Sequence, residues 1–333
     1  MAVRSTCKPL ARLVFLLMCL ALSRAAAQTC ESSAEMDEAT RAVMERTARQ
    51  FFDYASKGDA FDLKQSAIAS LSSNFGNIEG VVIDQRSTYA GAQATVRAAY
   101  LLEASGAAPI ARADFLCGVW GTASWAIFVI NNLPPGRYGL VIQEVSTSNG
   151  KYALTMVLKQ EGRAWKLAGY YSKPEEIGGH DGQWFLDKAR EYKAKGANHN
   201  AWFYYLTAWD LTAPVDFIST PRLDKLSDEM QSVRPSDLPT SDHPLALVAS
   251  GGRTYQVIQM SALPVDNDLD VLVKYRMSDV SDTKKTFDEN MAVIRAIVGR
   301  YPEFREAFAG VVARATDPSG HDYGTLLAMK DVK

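Results

Sequence analysis

The sequence predicts an α+β protein, because helical spacing governs its first hundred residues, strict alternation takes over near Phe115, and the stretch from Thr254 onward mixes both. Met36, Ala39, Val43, Met44, Ala48, Phe51, Phe52 and Ala55 recur at the three- and four-residue spacing of one helical face. A Ser32-x-x-Glu35 capping signature precedes them, and Gly58 supplies the stop. Asp59 can cap a second, shorter helix through about Leu71. Gly76 and Gly80 bracket a loop or short hairpin before Asp84, and a third helix is expected from Ser87 through Val96, Tyr100 and Leu101 to Gly106.

From about Phe115 the apolar period is two, and three turn signals separate the strands: Pro134-Pro135-Gly136, Asn149-Gly150 and Glu161-Gly162. Tyr152, Leu154, Met156 and Leu158 fall on one face of a single strand, and Trp165, Leu167 and Gly169 continue the alternation on the next. Turns this close together specify an antiparallel meander, curved enough to wrap the helices. The polar, Gly-rich stretch from Lys173 to Gln183 marks a boundary between units. Beyond it, Trp184 to Leu211 reads as a helical hairpin broken near Gly196-Ala197-Asn198.

Ser219 to Gly252, with Pro221, Pro235, Pro239 and Pro244, reads as connection; so long a connector is a functional loop, a linker or an unrecognised helix. The C-terminal part then forms a small α+β unit. Strands are expected near 254–263 and 269–277, then a long helix interrupted at Tyr301-Pro302, then a final strand near 323–332.

Arg4, Lys8 and Arg12, the apolar run Leu13 to Leu22 and the small residues Ala25-Ala26-Ala27 form a secretory leader over residues 1–27, with cleavage expected to leave Gln28 first. A run of about ten apolar residues is half the roughly twenty needed to cross a bilayer, so the mature chain is expected to be periplasmic or secreted with no stable membrane insertion. With 36 Lys+Arg against 38 Asp+Glu there is no basic excess to condense on phosphates, which argues against nucleic acid. The mature chain keeps Cys30 and Cys117. In an oxidising compartment these can bridge; otherwise Cys30 is free near a terminus and Cys117 is a buried, inert thiol.

Three helices followed by a bent antiparallel sheet, with Gly58-Asp59 after the first helix and Gly162-Arg163-Ala164-Trp165-Lys166-Leu167 near the end, resemble the nuclear-transport-factor-2-like superfamily over residues 35–172. The resemblance implies a cone-shaped domain whose mouth can hold a small molecule. Relatives of that type include ketosteroid isomerases, dehydratases, polyketide cyclases and many non-catalytic domains. A second resemblance, over 183–212, is to a single tetratricopeptide-like hairpin carried by Phe185, Ala189, Tyr192, Ala201, Tyr205 and Ala208. No second copy follows, and about three are needed for a continuous stack, so residues 183–333 read as a hairpin packed on the small α+β unit.

Isomerase chemistry in such a cone needs a carboxylate and a hydroxyl donor to hold an enolate oxygen. On the isomerase resemblance Phe51 stands where those enzymes carry their donor tyrosine; Asp84, near the family's base position, or Glu144 could serve as acid or base, with Tyr54 or Tyr100 as substitute donor. The alternative is that Asp84 only organises a turn. His180, His199, His243 and His321 all lie outside the helices and sheet of the cone, which argues against histidine-dependent dehydration. The His180-Asp181 and His321-Asp322 pairs lack zinc spacing and read as turn residues, and no metal or cofactor is implied.

The aromatic residues Phe51, Tyr54, Trp120, Trp125, Tyr138, Tyr152 and Trp165 can line a small-molecule pocket, or simply pack a core. Trp202, Tyr204, Tyr205 and Trp209 form a second cluster on one helix, suited to packing or to a protein partner. The resulting expectation is an exported, non-catalytic binding or scaffolding protein for a small apolar molecule or a protein partner, a homodimer included. An isomerase or cyclase and a hairpin interaction module are the alternatives.

Overall fold

The computed structural model describes residues 28–333 except 120, 122 and 123; the leader and Trp120 therefore lie outside the described residues. The chain is α+β, with helices and antiparallel sheets. A first strand, β1 (Gln28–Ser32), precedes the helices α1 (Glu38–Lys57), α2 (Ala60–Gln65), α3 (Ala69–Ser72) and α4 (Gly76–Tyr89). Asp37 caps α1 by accepting from the Thr40 amide at 2.8 Å, while Ser32 and Glu35 close a separate turn through a 2.8 Å bond from the Ser32 amide. The helix therefore starts later than the capping signature suggests. Gly58 ends it at φ 72, a conformation that suits glycine.

The largest departure from the sequence reading is at 76–106. Gly76 and Gly80 are inside α4, and the segment read as a third helix is the strand β2 (Gln93–Ala104). Val96, Tyr100 and Leu101 sit at helical spacing, but the full run Ala94, Val96, Ala98, Tyr100 and Leu102 also alternates, and tertiary pairing decides between them. Asp84 accordingly lies within a helix and is exposed.

β2 is followed by β3 (Ile110–Cys117), β4 (Ala126–Leu133), β5 (Gly136–Thr147), β6 (Gly150–Glu161) and β7 (Ala164–Pro174). One sheet runs β1-β2-β5-β6-β7, all antiparallel. The Pro134-Pro135-Gly136 turn does not close a hairpin: β4 pairs with β3 in a second sheet, so the meander proper is β5-β6-β7. The helices cover one face of the first sheet, burying Phe51, Phe52, Tyr89, Val141, Met156 and Tyr170. The second sheet covers part of the other face, burying Phe115, Phe128, Leu140 and Val157. Cys30 and Cys117 are joined by a disulfide, which ties edge strand β1 to β3 of the second sheet.

A two-residue pair, β8 (Glu176–Ile177) and β9 (His180–Asp181), leads into the hairpin α5 (Gly182–Ala194) and α6 (Asn198–Thr212). The chain then turns back. Val215 is 1% exposed within the layer between the two sheets, and β10 (Ile218–Ser219) adds to the edge of β4. Part of the long proline-rich connector is α7 (Pro221–Gln231), with Thr220 as cap and Pro221 in its first turn, where the missing amide costs nothing.

The C-terminal sheet runs β11 (Leu245–Val248), β12 (Thr254–Val265), β13 (Asp268–Arg276), β14 (Gly310–Thr316) and β15 (Asp322–Ala328). β13 and β14 are parallel, joined by the crossover helix α8 (Thr283–Arg300) and the short α9 (Phe304–Ala307). β14 is absent from the sequence reading, because it was absorbed into the second half of the expected helix. The hairpin rings Trp202, Tyr204 and Tyr205 are at most 8% exposed and pack into this unit's core. Among the described residues no helix is long and apolar enough to cross a membrane.

Candidate functional site

The alternation of β6 leads to the site. Tyr152, Leu154, Met156 and Leu158 face the helices, yet Ala153, Thr155 and Val157 on the other face are buried as well. A strand buried on both sides needs a layer on each, and the second sheet supplies the outer one only in part. Where that cover stops, a cavity of about 420 Å3 opens against the outer face of the first sheet. Its floor is Tyr138, Val157 and Ala168, and its walls are Val129, Ile130 and Leu133 of β4, Ile68 from the start of α3, and Phe217.

Besides Tyr138, four residues with polar side-chain ends line this otherwise apolar hollow: Tyr171, Ser70, Asn131 and Lys159. Tyr171 lies across Gly169, where an added Cβ would come within 3.0 Å of the ring, so glycine is what lets the tyrosine lie down on the sheet. Its ring meets Phe217 edge-on at 5.3 Å. Burial pushes the Tyr171 hydroxyl up, and Asp216 adds to the shift, so it stays a neutral donor. Among the described residues no Asp or Glu lines the cavity.

The candidate catalytic groups do not converge here or elsewhere. Asp84 is exposed on α4, and Tyr54 accepts a 2.7 Å bond from Gln50 on α1. Tyr100 points to the outer face, stacked edge-on against Phe128 at 4.9 Å. Glu144 faces a polar cleft with Arg97, Lys151 and Arg222 and is 3.7 Å from Lys151. Of the candidate binding aromatics, Phe51 and Trp165 are in the helix-side core with Tyr54 and Tyr152 beside them. Trp125 is buried just before β4, and among the described candidates Tyr138 alone lines the cavity.

Between helices and sheet lies a second polar group. The Tyr89 and Ser172 hydroxyls are 2.6 Å apart, and Gln85 donates to Ser172 at 2.8 Å. The Gln143 side-chain amide and the Tyr170 hydroxyl are buried there without a hydrogen-bond partner among the described residues. Burial pushes the Tyr89 hydroxyl up to about 12 and that of Tyr170 higher still, so both are neutral at any physiological pH.

No protein-family model, curated protein or solved structure matches this chain.

The His-Asp pairs act locally. Asp181 caps α5 by accepting from the Trp184 amide at 2.9 Å, His180 stacks on Trp184 at 3.9 Å, and His321 sits 3.2 Å from Asp317 in the turn before β15. Among the described residues no cluster of three or more His, Cys, Asp or Glu could hold a metal ion. Lys159, Ala168, Tyr171 and Phe217 were missed as site residues. The available signal was the outward face of β6, too apolar for a strand with one solvated side.

Proposed function

We propose that the protein is an exported, non-catalytic binder of a small apolar molecule, held in the cavity between the first sheet, β4 and Phe217. The observation that carries the reading is a 420 Å3 apolar hollow with a few polar tips and no acid, within the 300–1,000 Å3 range typical of small-molecule sites. Isomerase chemistry would need a carboxylate and a donor facing one substrate; Asp84 and Tyr54 are on the helices, while Tyr100 and Glu144, on the outer face of the first sheet, are engaged separately, Tyr100 against Phe128 and Glu144 in the cleft with Lys151. The Cys30–Cys117 bond supports export, because such bonds persist in oxidising compartments.

The test is native mass spectrometry of the protein purified from the cells that make it, with a denatured spectrum of whatever is released. A small apolar molecule should accompany the native protein and be missing from Ala168→Trp, whose indole would fill the cavity. A ligand retained by Ala168→Trp would place binding elsewhere. No ligand in either protein, together with no response to a solvatochromic apolar dye, would sink the reading.

A further inference from the structure

Lys159 is the only charged residue lining the cavity, and it has no carboxylate partner among the described residues. Its neighbours are neutralised: Lys166, in register with it on β7, pairs with Glu161 at 2.8 Å, and Arg137 pairs with Glu103 at 2.8 Å. Lys159 therefore brings one positive charge without an ion-pair partner among the described residues to the lining of the hollow.

The ammonium is also held in place. It lies 5.4 Å from the centroid of the Tyr138 ring, a cation–π distance. That ring is 3% exposed and fixed by its hydroxyl, which donates to the Pro134 carbonyl at 2.7 Å. Gly136, at φ 150, leaves room for the lysine stem; a Cβ there would come within 3.2 Å of Lys159 Cε. Tyr138, Gly136 and the strand pairing thus hold a positive charge at the edge of an apolar cavity, with the Tyr171 hydroxyl as a second donor on its wall.

Resting on the binding reading above, we propose that the ligand is a small amphipathic acid: its carboxylate pairs with Lys159 and its hydrocarbon part lies over Val157, Ala168, Ile130 and Phe217. A carboxylate on an ammonium makes a charge-assisted bond, roughly twice as strong as a neutral one. The apolar walls supply binding that an acid, an alcohol and an amine of the same chain length share equally. The head group alone then separates the three.

The experiment is calorimetric titration at low salt with a medium-chain alkanoate, the matching alkanol and the matching alkylamine, on wild type, Lys159→Met, Lys159→Glu and Ala168→Trp. Wild type should bind the acid about tenfold more tightly than the alcohol, equivalent to about 1.4 kcal/mol, and the amine most weakly. Lys159→Met should erase the difference between acid and alcohol, and Lys159→Glu should reverse the order of acid and amine. If alcohol and acid bind equally and Lys159→Met moves neither, the acid assignment is overturned while the cavity stands. If none of the three binds, or Ala168→Trp leaves binding untouched, the cavity reading falls and the acid assignment with it.

Discussion

Removing the Cys30–Cys117 bond is expected to be the most damaging single covalent change in the first unit. The bond links residues 87 apart in sequence. In the chain-entropy account a loop of that length takes about 4–5 kcal/mol of freedom from the unfolded chain at 25 °C, and measured losses more often fall at 2–4 kcal/mol. What it holds is β1, whose five residues pair only with the edge of β2. Urea unfolding of wild type with and without dithiothreitol, and of a Cys30→Ala/Cys117→Ala variant, followed by tryptophan fluorescence, measures the effect. Reduction should lower the midpoint and raise the slope, because the unfolded chain opens and exposes more surface. The reduced protein controls for the small packing loss at Cys117, which is 1% exposed. Coincident oxidised and reduced curves would refute the reasoning and mean that β1 pairing contributes little to the fold.

Three further outcomes follow from buried and half-buried polar groups. Gln143→Leu removes two polar atoms that have no partner among the described residues, so stability should stay level or rise by about 1 kcal/mol in chemical denaturation; a loss of that size would mean ordered water occupies the site. Glu289 is 7% exposed and accepts from both Arg253 and Tyr255, so Glu289→Ala should cost about 2 kcal/mol, with Glu289→Gln milder, and equal midpoints would contradict that. The Arg190 guanidinium holds the Glu229 carboxyl below the usual range; for Asp237, burial acts upward but bonds from Tyr301 and His199 outweigh it and the net shift is down. A depressed carboxylate stabilises the fold above its unfolded value of about 4 and loses that contribution as pH falls through the folded value. Melting temperature should therefore drop below about pH 4, and less steeply in Glu229→Gln/Asp237→Asn; superimposable pH profiles would argue against it.

Much of the fold could be read from the residues because local chemistry and tertiary demand agree there. Gly58 and Asp59 do what a stop and a cap do anywhere, and the Asn149-Gly150 and Glu161-Gly162 turns connect strands that pair with each other. Reading failed where one pattern fits two structures. Gln93 to Ala104 carries apolar residues at both periods, and only its partners β1 and β5 make it a strand. Gly310 to Thr316 fails differently: its parallel partner is β13, some forty residues earlier, so no nearby turn announces it. Of the cavity, Tyr138 was legible as an aromatic candidate. Lys159 was not, because a lysine near a strand end looks like ordinary solvation until its neighbours are seen to be paired and it is not.

The return of the chain after α6 joins the two parts a second time. Val215 plugs the layer between the sheets, the Phe217 carbonyl accepts from the Val129 amide at 2.9 Å, and Phe217 itself walls the cavity. Recombination that exchanged either part at the 173–183 junction would carry this wall away with the C-terminal half. The first part would keep its helices and first sheet but lose Phe217 from the wall of the cavity.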